Sequence, residues 1–192
     1  FDYSSEGFER SYIDSTLRLG INQVDLLVIH DLDQGYHGKT VQQKLKELET
    51  GVEWLNKMKT SGLIRAFGAG INEMQMMPVF MEQFDLDFFL VAMPYTLLDQ
   101  SPLEEVFPAC KKREIGIIIG SPYASGILAT GSKNKSTYGY APPDNEILKK
   151  VKSIESICKK YDVPLKAASL QFPLFHPLVA SVIPGMLDKE EV

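Results

Sequence analysis

A chain of 192 residues, 44% hydrophobic and 23% charged, is long and apolar enough to close one sizeable core, and its balance is that of an ordinary globular domain. A net charge of -5 argues against a surface dedicated to nucleic acid, and the one basic run, Lys111-Lys112-Arg113, falls at the end of a predicted helix, where cations complement the dipole. Cys110 and Cys158 stand far apart without metal-ligand neighbours, His30, His37 and His176 lack zinc spacing, and neither a signal peptide nor a membrane-length apolar run appears, so disulfide, metal and membrane roles are set aside and a cytoplasmic protein is expected.

The first predicted helix opens at Ser5 with Glu6 and Glu9, runs through Tyr12, Leu17 and Leu19, and stops at Gly20. A strand over 24–30 follows, then an amphipathic helix over 40–60 with Val41, Leu45, Leu48, Val52, Leu55 and Met58 on one side and Gly62 beyond its end. Further strands are predicted over 63–70, 86–93, 115–121 and 179–184. Helices fall between them over 73–83, 102–113 and 146–161, with Asn72, Ser101 and Asp144 as plausible caps. The strands show little polar alternation, as expected when both faces are covered in a parallel sheet. The repeated strand–helix unit implies right-handed parallel crossovers in a single domain over 1–192. Either a doubly wound sheet or part of a (β/α)8 barrel satisfies the pattern, and no G-x-G-x-x-G fingerprint follows any strand.

Chemistry collects just after the strands: His30-Asp31, Gly70-Ile71-Asn72, Pro94-Tyr95-Thr96, Ser121-Pro122-Tyr123 and Pro184-Gly185. In parallel α/β proteins the carboxyl ends of strands carry the active sites. An imidazole there either caps a strand or serves a substrate oxygen through a hydrogen bond or proton. Each of the others also has a plain structural reading: Asn72 as a helix cap, Tyr95 as packing, Ser121-Pro122 as a turn. The stretch from Ser121 to Gly131 is rich in small residues that let backbone N–H groups approach an anion, as a pyrophosphate strap requires.

These segments resemble the aldo-keto reductase family. R-S-Y-I-D-S-T-L-R-L-G-I-N-Q-V-D-L-L-V-I-H-D is similar to the family's helix before strand four and the strand with its histidine, and G-L-I-R-A-F-G-A-G-I-N to strand five. G-I-I-I-G-S-P-Y-A-S-G-I-L-A-T-G resembles the cofactor loop after strand seven, and L-Q-F-P-L-F-H-P-L-V-A-S-V-I-P-G the approach to strand eight. Y-T-L-L-D-Q, S-G-I-L-A-T-G and the L-Q-F-P-L run are similar to a branch holding D-threo-aldose 1-dehydrogenase, L-fucose dehydrogenase and pyridoxal 4-dehydrogenase.

The resemblance implies a (β/α)8 TIM barrel, of which the chain supplies roughly strands four to eight, and an NAD(P)-dependent oxidoreductase acting on a sugar hemiacetal, aldehyde or alcohol. It makes His30 the histidine of an Asp-Tyr-Lys-His tetrad. It places Gly70 and Asn72 at the nicotinamide carboxamide, Ser121, Tyr123, Gly126 and Leu128 over the pyrophosphate and its ribose, and residues 185–191, with Gly185 and Asp188, beside the adenosine 2′ position. Lys189 is the only cation there, against Asp188 and Glu191, which favours NAD over NADP. Gly120 and Ala92 stand where many members have a tyrosine stacking on nicotinamide and a glutamine, with Tyr95 or Tyr123 as conceivable substitutes. The tetrad's tyrosine, lysine and aspartate belong upstream of these residues, so the chain is expected to be part of a longer protein. Residues 1–192 expressed alone are expected to aggregate and to reduce no carbonyl. Two other readings stay open: a non-catalytic cofactor-binding barrel acting as a regulatory subunit, and an unrelated barrel in which 121–131 holds a substrate phosphate. Oligomeric state is open as well.

Overall fold

The computed structural model describes residues 1–133, 136–186 and 189. They form two compact units, Phe1–Leu90 and Val91–Val192.

In the first unit, α1 (Ser5–Leu19) is capped by Ser4, one residue before the expected cap. Its side chain accepts from the Gly7 N–H, and Gly20 closes the helix in the left-handed conformation. Strand β1 (Leu26–His30) leads into the short α2 (Gln34–His37) and the long α3 (Val41–Thr60). Helix α3 buries the six apolar residues its spacing marks, Val41, Leu45, Leu48, Val52, Leu55 and Met58. Strand β2 (Ala66–Ile71) pairs in parallel with β1, with Leu26 opposite Ala66 and His30 opposite Gly70. Gly68 in β2 is dictated by space: a Cβ there would lie 2.2 Å from the Phe88 carbonyl oxygen. Helix α4 (Met76–Gln83) and the start of β3 (Phe88–Ala92) complete the unit. Fully buried Phe67, Phe80 and Phe89 anchor its core, each worth roughly 1.5–3 kcal/mol of burial. Along β1 only Ile29 is buried while Leu26 and Val28 are exposed, so the expectation that both faces of the strand are covered does not hold there.

In the second unit, α5 (Val106–Lys112) precedes β4 (Gly116–Gly120), and a loop leads to the four-residue α6 (Ile127–Thr130). Helix α7 (Asn145–Lys160) is capped by Asp144, whose side chain accepts from the Ile147 N–H as the sequence predicts. Helix α8 (Leu165–Gln171) and β5 (Val179–Ile183) follow, and β5 pairs in parallel with β4. Strand β4 buries four of its five residues, consistent with its unbroken apolar run.

Two expected caps move. Helix α4 begins at Met76, not directly after Asn72, and the Asn72 Nδ2 donates to Asp31. Ser101 opens a separate 3-10 turn, Ser101–Leu103, and α5 starts only at Val106. No helix among the described residues is long and apolar enough to cross a membrane. Both cysteines are free and buried, and no cluster of metal-ligating side chains occurs among the described residues.

Candidate active site

At the end of β1 the backbone turns sharply: Asp31 adopts φ of 46°, in the left-handed region that few non-glycine residues enter. Successive side chains of a strand point to opposite faces. The left-handed turn instead brings the Asp31 carboxylate back to its neighbour, with Oδ2 at 3.0 Å from His30 Nδ1. The other carboxylate oxygen accepts from Asn72 Nδ2 at 2.9 Å, which ties the end of β2 to the end of β1. Asp31 is nearly buried, whereas the His30 side chain is 73% exposed.

A second layer fixes the turn. The buried Tyr3 hydroxyl donates to the His30 carbonyl at 2.8 Å and lies 2.9 Å from His37 Nε2. A phenol has one proton, so with that proton committed to the carbonyl the Tyr3 oxygen accepts from His37. Burial, and then the nearby Asp31 and Asp33 carboxylates, push the Tyr3 phenol well above its ordinary value, so it stays a neutral donor. Asp33, 2% exposed, caps α2 through the Tyr36 N–H, and Glu73 accepts from the Gln34 and Gly35 N–H groups at 3.1 and 2.7 Å. The Phe1 ring lies nearly parallel to those of Tyr3 and His30 and meets Tyr36 and His37 edge-on. A cleft of about 360 Å³ opens beside His30, walled largely by aromatic and apolar side chains that include Tyr3, Phe8, Tyr12 and Trp54.

The second unit's loop after β4 is built differently. Ser121, Ala124, Ser125 and Gly126 all have positive φ, from 49° to 106°. Gly126, at 106°, sits where a side chain would strain the backbone even though space is open around it. The turns are closed by Ala124 N–H to Ser121 O at 2.9 Å, Gly126 N–H to Tyr123 O at 2.9 Å and Leu128 N–H to the same carbonyl at 3.1 Å. Ala124, Ile127, Leu128 and Val151 form a fully buried cluster beneath. The Leu128 side chain thus belongs to the core. Ser121, Tyr123 and Gly126 keep partial exposure at the loop. Ser125 Oγ donates to Met93 Sδ and accepts from the Tyr140 N–H, which pins the loop from outside. Residues 121–131 carry no charged side chain of their own, and the Glu155 carboxylate lies against Gly131 at the far end of the loop.

Other expected residues take plainer roles. Tyr95 is 4% exposed and packs against Phe107, Phe172 and His176 at 4.9 to 5.7 Å, so its reading as packing holds and it is no substitute for a stacking tyrosine. His176 accepts from the Leu178 N–H through Nδ1 and is held below its ordinary pKa by burial, then by Lys111. Gly70 is buried under β1 and Gly185 is exposed, while Asp188 lies outside the described residues. Tyr3, His37 and Glu73 were not marked in the sequence. An aromatic just before a helix cap and a glutamate after a strand carry no periodic signal, whereas Asp31 and Asn72 are marked by their place just after strands.

The profile of the Aldo/keto reductase family matches residues 1–192. Pyridoxal 4-dehydrogenase of Microbacterium luteolum is 37% identical over 194 residues, covering 100% of the chain and 57% of the relative. D-threo-aldose 1-dehydrogenase of a Pseudomonas species is 34% identical over 186 residues, covering 96% of the chain and 54% of the relative. The chain thus spans a little over half the length of these relatives. Among solved structures, the apo form of an aldo-keto reductase from Bacillus halodurans superimposes with a TM-score of 0.71 at 23% identity, over 96% of the chain and 59% of that structure. That likeness assigns the fold: a (β/α)8-barrel architecture, to which the described residues contribute five strands.

Proposed function

Because the chain belongs to the aldo/keto reductase family, we propose that it forms the histidine-bearing part of a nicotinamide-dependent oxidoreductase that interconverts a hydroxyl and a carbonyl on a small substrate. The substrate class follows the named relatives: a sugar hemiacetal, as for D-threo-aldose 1-dehydrogenase, or a pyridoxal-like aldehyde or alcohol. One observation carries the reading. His30 sits at the carboxyl end of β1 with its side chain 73% exposed and Nδ1 3.0 Å from the Asp31 carboxylate, which Asn72 holds through its other oxygen.

The chain's own residues divide the work. His30 contacts the substrate oxygen and orients it, and Asp31, Asn72 and Tyr3 hold His30 in place. The uncharged loop from Ser121 to Gly126, whose Ala124 and Gly126 N–H groups close its own turns, would offer a pyrophosphate its remaining N–H groups and the Ser121 hydroxyl. Leu128 and Ala124 support that loop from the core. Gly70 and Asn72 would border the nicotinamide carboxamide, and Gly185 and Asp188 the adenosine ribose. A bound nicotinamide supplies the two-electron chemistry. We take NAD as the preferred cofactor over NADP, since a carboxylate at Asp188 or Glu191 repels a 2′-phosphate and accepts from a free 2′-hydroxyl.

The test is turnover by the intact protein with NAD or NADP and either pyridoxal or a D-threo-aldose, followed by nicotinamide absorbance. His30→Ala should lower kcat about 100-fold or more, the scale of a positioned acid–base group. Cofactor binding without turnover by the wild type would overturn the reading in favour of a regulatory cofactor-binding barrel, unchanged turnover by His30→Ala would take the chemistry away from His30, and a higher kcat/KM with NADP would reverse the cofactor preference.

A further inference from the structure

A tight hairpin is docked on the loop after β4. The Tyr138 N–H donates to the Ala141 carbonyl at 2.9 Å and the Ala141 N–H to the Tyr138 carbonyl at 3.1 Å, with Gly139 and Tyr140 between them at φ of 58° and 63°. Two left-handed central residues are the pattern of a type I′ turn, whose usual occupants are glycine, asparagine and aspartate. Gly139 suits its place, whereas a bulky residue at the next position carries strain that a second glycine would not. The hairpin is tied to the loop by Thr137 Oγ1, which donates to the Ser125 carbonyl at 2.8 Å, and by the Tyr140 N–H, which donates to Ser125 Oγ at 3.3 Å. Gly126 bridges to Thr137 beside them. The two tyrosines then part. Tyr138 packs on the buried cluster of Ala124, Ile127, Leu128 and Val151, but Tyr140 is 77% exposed. Strain is thus kept at a position whose side chain buries little, which is how ligand clamps are built.

We propose that the Tyr140 ring is a further ligand-binding surface of this loop, on which the adenine base of the dinucleotide stacks. In the function proposed above the pyrophosphate lies on residues 121–126 and the adenosine beside Gly185 of the same unit, so adenine is the ring that falls to this hairpin. A phenol face takes a purine by stacking alone and needs no hydrogen bond to the base edge. Tyr140 takes this role only if the reading of 121–126 as the cofactor loop holds, and to that reading it adds the residue that meets the base.

The experiment is calorimetric titration of the intact protein with NAD and with ADP, which carries the adenine and a diphosphate but no nicotinamide, together with Tm for each variant. Tyr140→Gly relieves the turn and removes the ring, so Tm should stay at or above the wild-type value while NAD and ADP each bind about 10-fold more weakly. Tyr140→Phe keeps the ring and should bind both within about 2-fold of wild type. A stabilised variant that binds less is a result that a merely structural tyrosine does not give. Wild-type affinity for both ligands in Tyr140→Gly overturns the proposal. So does a loss seen with NAD alone, which would move the ring to the nicotinamide, or a fall in Tm accompanying the loss, which would make Tyr140 structural. Failure of the wild type to bind either ligand is a different result: it overturns the cofactor reading itself, and the stacking role with it.

Discussion

The rim after β1 and the loop after β4 are two solutions to building a site at the end of a strand. The first is made of side chains: the Asp31 carboxylate stands 3.0 Å from the His30 imidazole and accepts from Asn72 at 2.9 Å, while the Tyr3 hydroxyl bonds the His30 carbonyl at 2.8 Å and lies 2.9 Å from His37. The second is made of backbone: four residues with positive φ, closed by their own carbonyls over a buried apolar cluster, without a charge. A site that moves a proton needs a titratable group in a fixed orientation, whereas a site for a polyanion needs only rigid N–H groups at close approach. The two regions should therefore fail under different kinds of substitution.

The largest contrast is expected in the loop itself. Gly126→Ala forces a Cβ onto a backbone at φ of 106° and should weaken cofactor binding about 10-fold, on the order of 1–3 kcal/mol of strain. Tyr123→Phe, which changes a side chain and leaves the backbone alone, should weaken it by about 3-fold or less, roughly a half kcal/mol. Equal effects in a fluorescence titration would mean that side chains, not backbone, hold the ligand.

In the first unit a single hydroxyl should matter. Tyr3→Phe removes the donor to the His30 carbonyl and the partner of His37, with an expected cost of about 1–2 kcal/mol in denaturant unfolding and a fall in kcat with cofactor affinity intact. Wild-type kcat in Tyr3→Phe would show that the His30 backbone needs no such support.

The smallest effect tests burial beneath the second unit. Burial pushes the Cys110 thiol up to about 11 from an ordinary value of 9.0. Between those values the unfolded chain binds fewer protons than the native one, so stability should fall as pH rises, by at most about 1.4 kcal/mol per pH unit from this group. Cys110→Ala should flatten that slope in Tm measured from pH 8 to 11. An unchanged slope would assign the loss to other groups.

Much of the framework was legible beforehand, because apolar runs, a 20-residue amphipathic helix and the Asp144 cap are local signals. Strand starts came out late: β1 begins at Leu26, since the Asp25 carbonyl already accepts from the Arg65 and Ala66 N–H groups at the turn into the pair. Helices α2 and α6, of four residues each, are too short to show a period. At the candidate site, His30 and the 121–131 loop stood out as residue types in unusual places. The support did not: Tyr3 lies 27 residues from the carbonyl it holds and Asn72 41 from the carboxylate it steadies, and contacts at such separations leave no pattern. Asn72 is an example: its sequence context suits a helix cap, whereas its amide nitrogen donates to Asp31 and α4 starts only at Met76.

The central claim, chemistry at the end of β1 and cofactor binding in the loop after β4, is tested most directly by measuring kcat and cofactor Kd together for His30→Ala and Gly126→Ala in the intact protein. The account predicts a split: His30→Ala loses kcat about 100-fold with Kd within about 2-fold of wild type, and Gly126→Ala raises Kd about 10-fold while kcat at saturating cofactor stays near wild type. If His30→Ala instead weakens cofactor binding and leaves kcat unchanged, the assignment of chemistry to His30 is wrong.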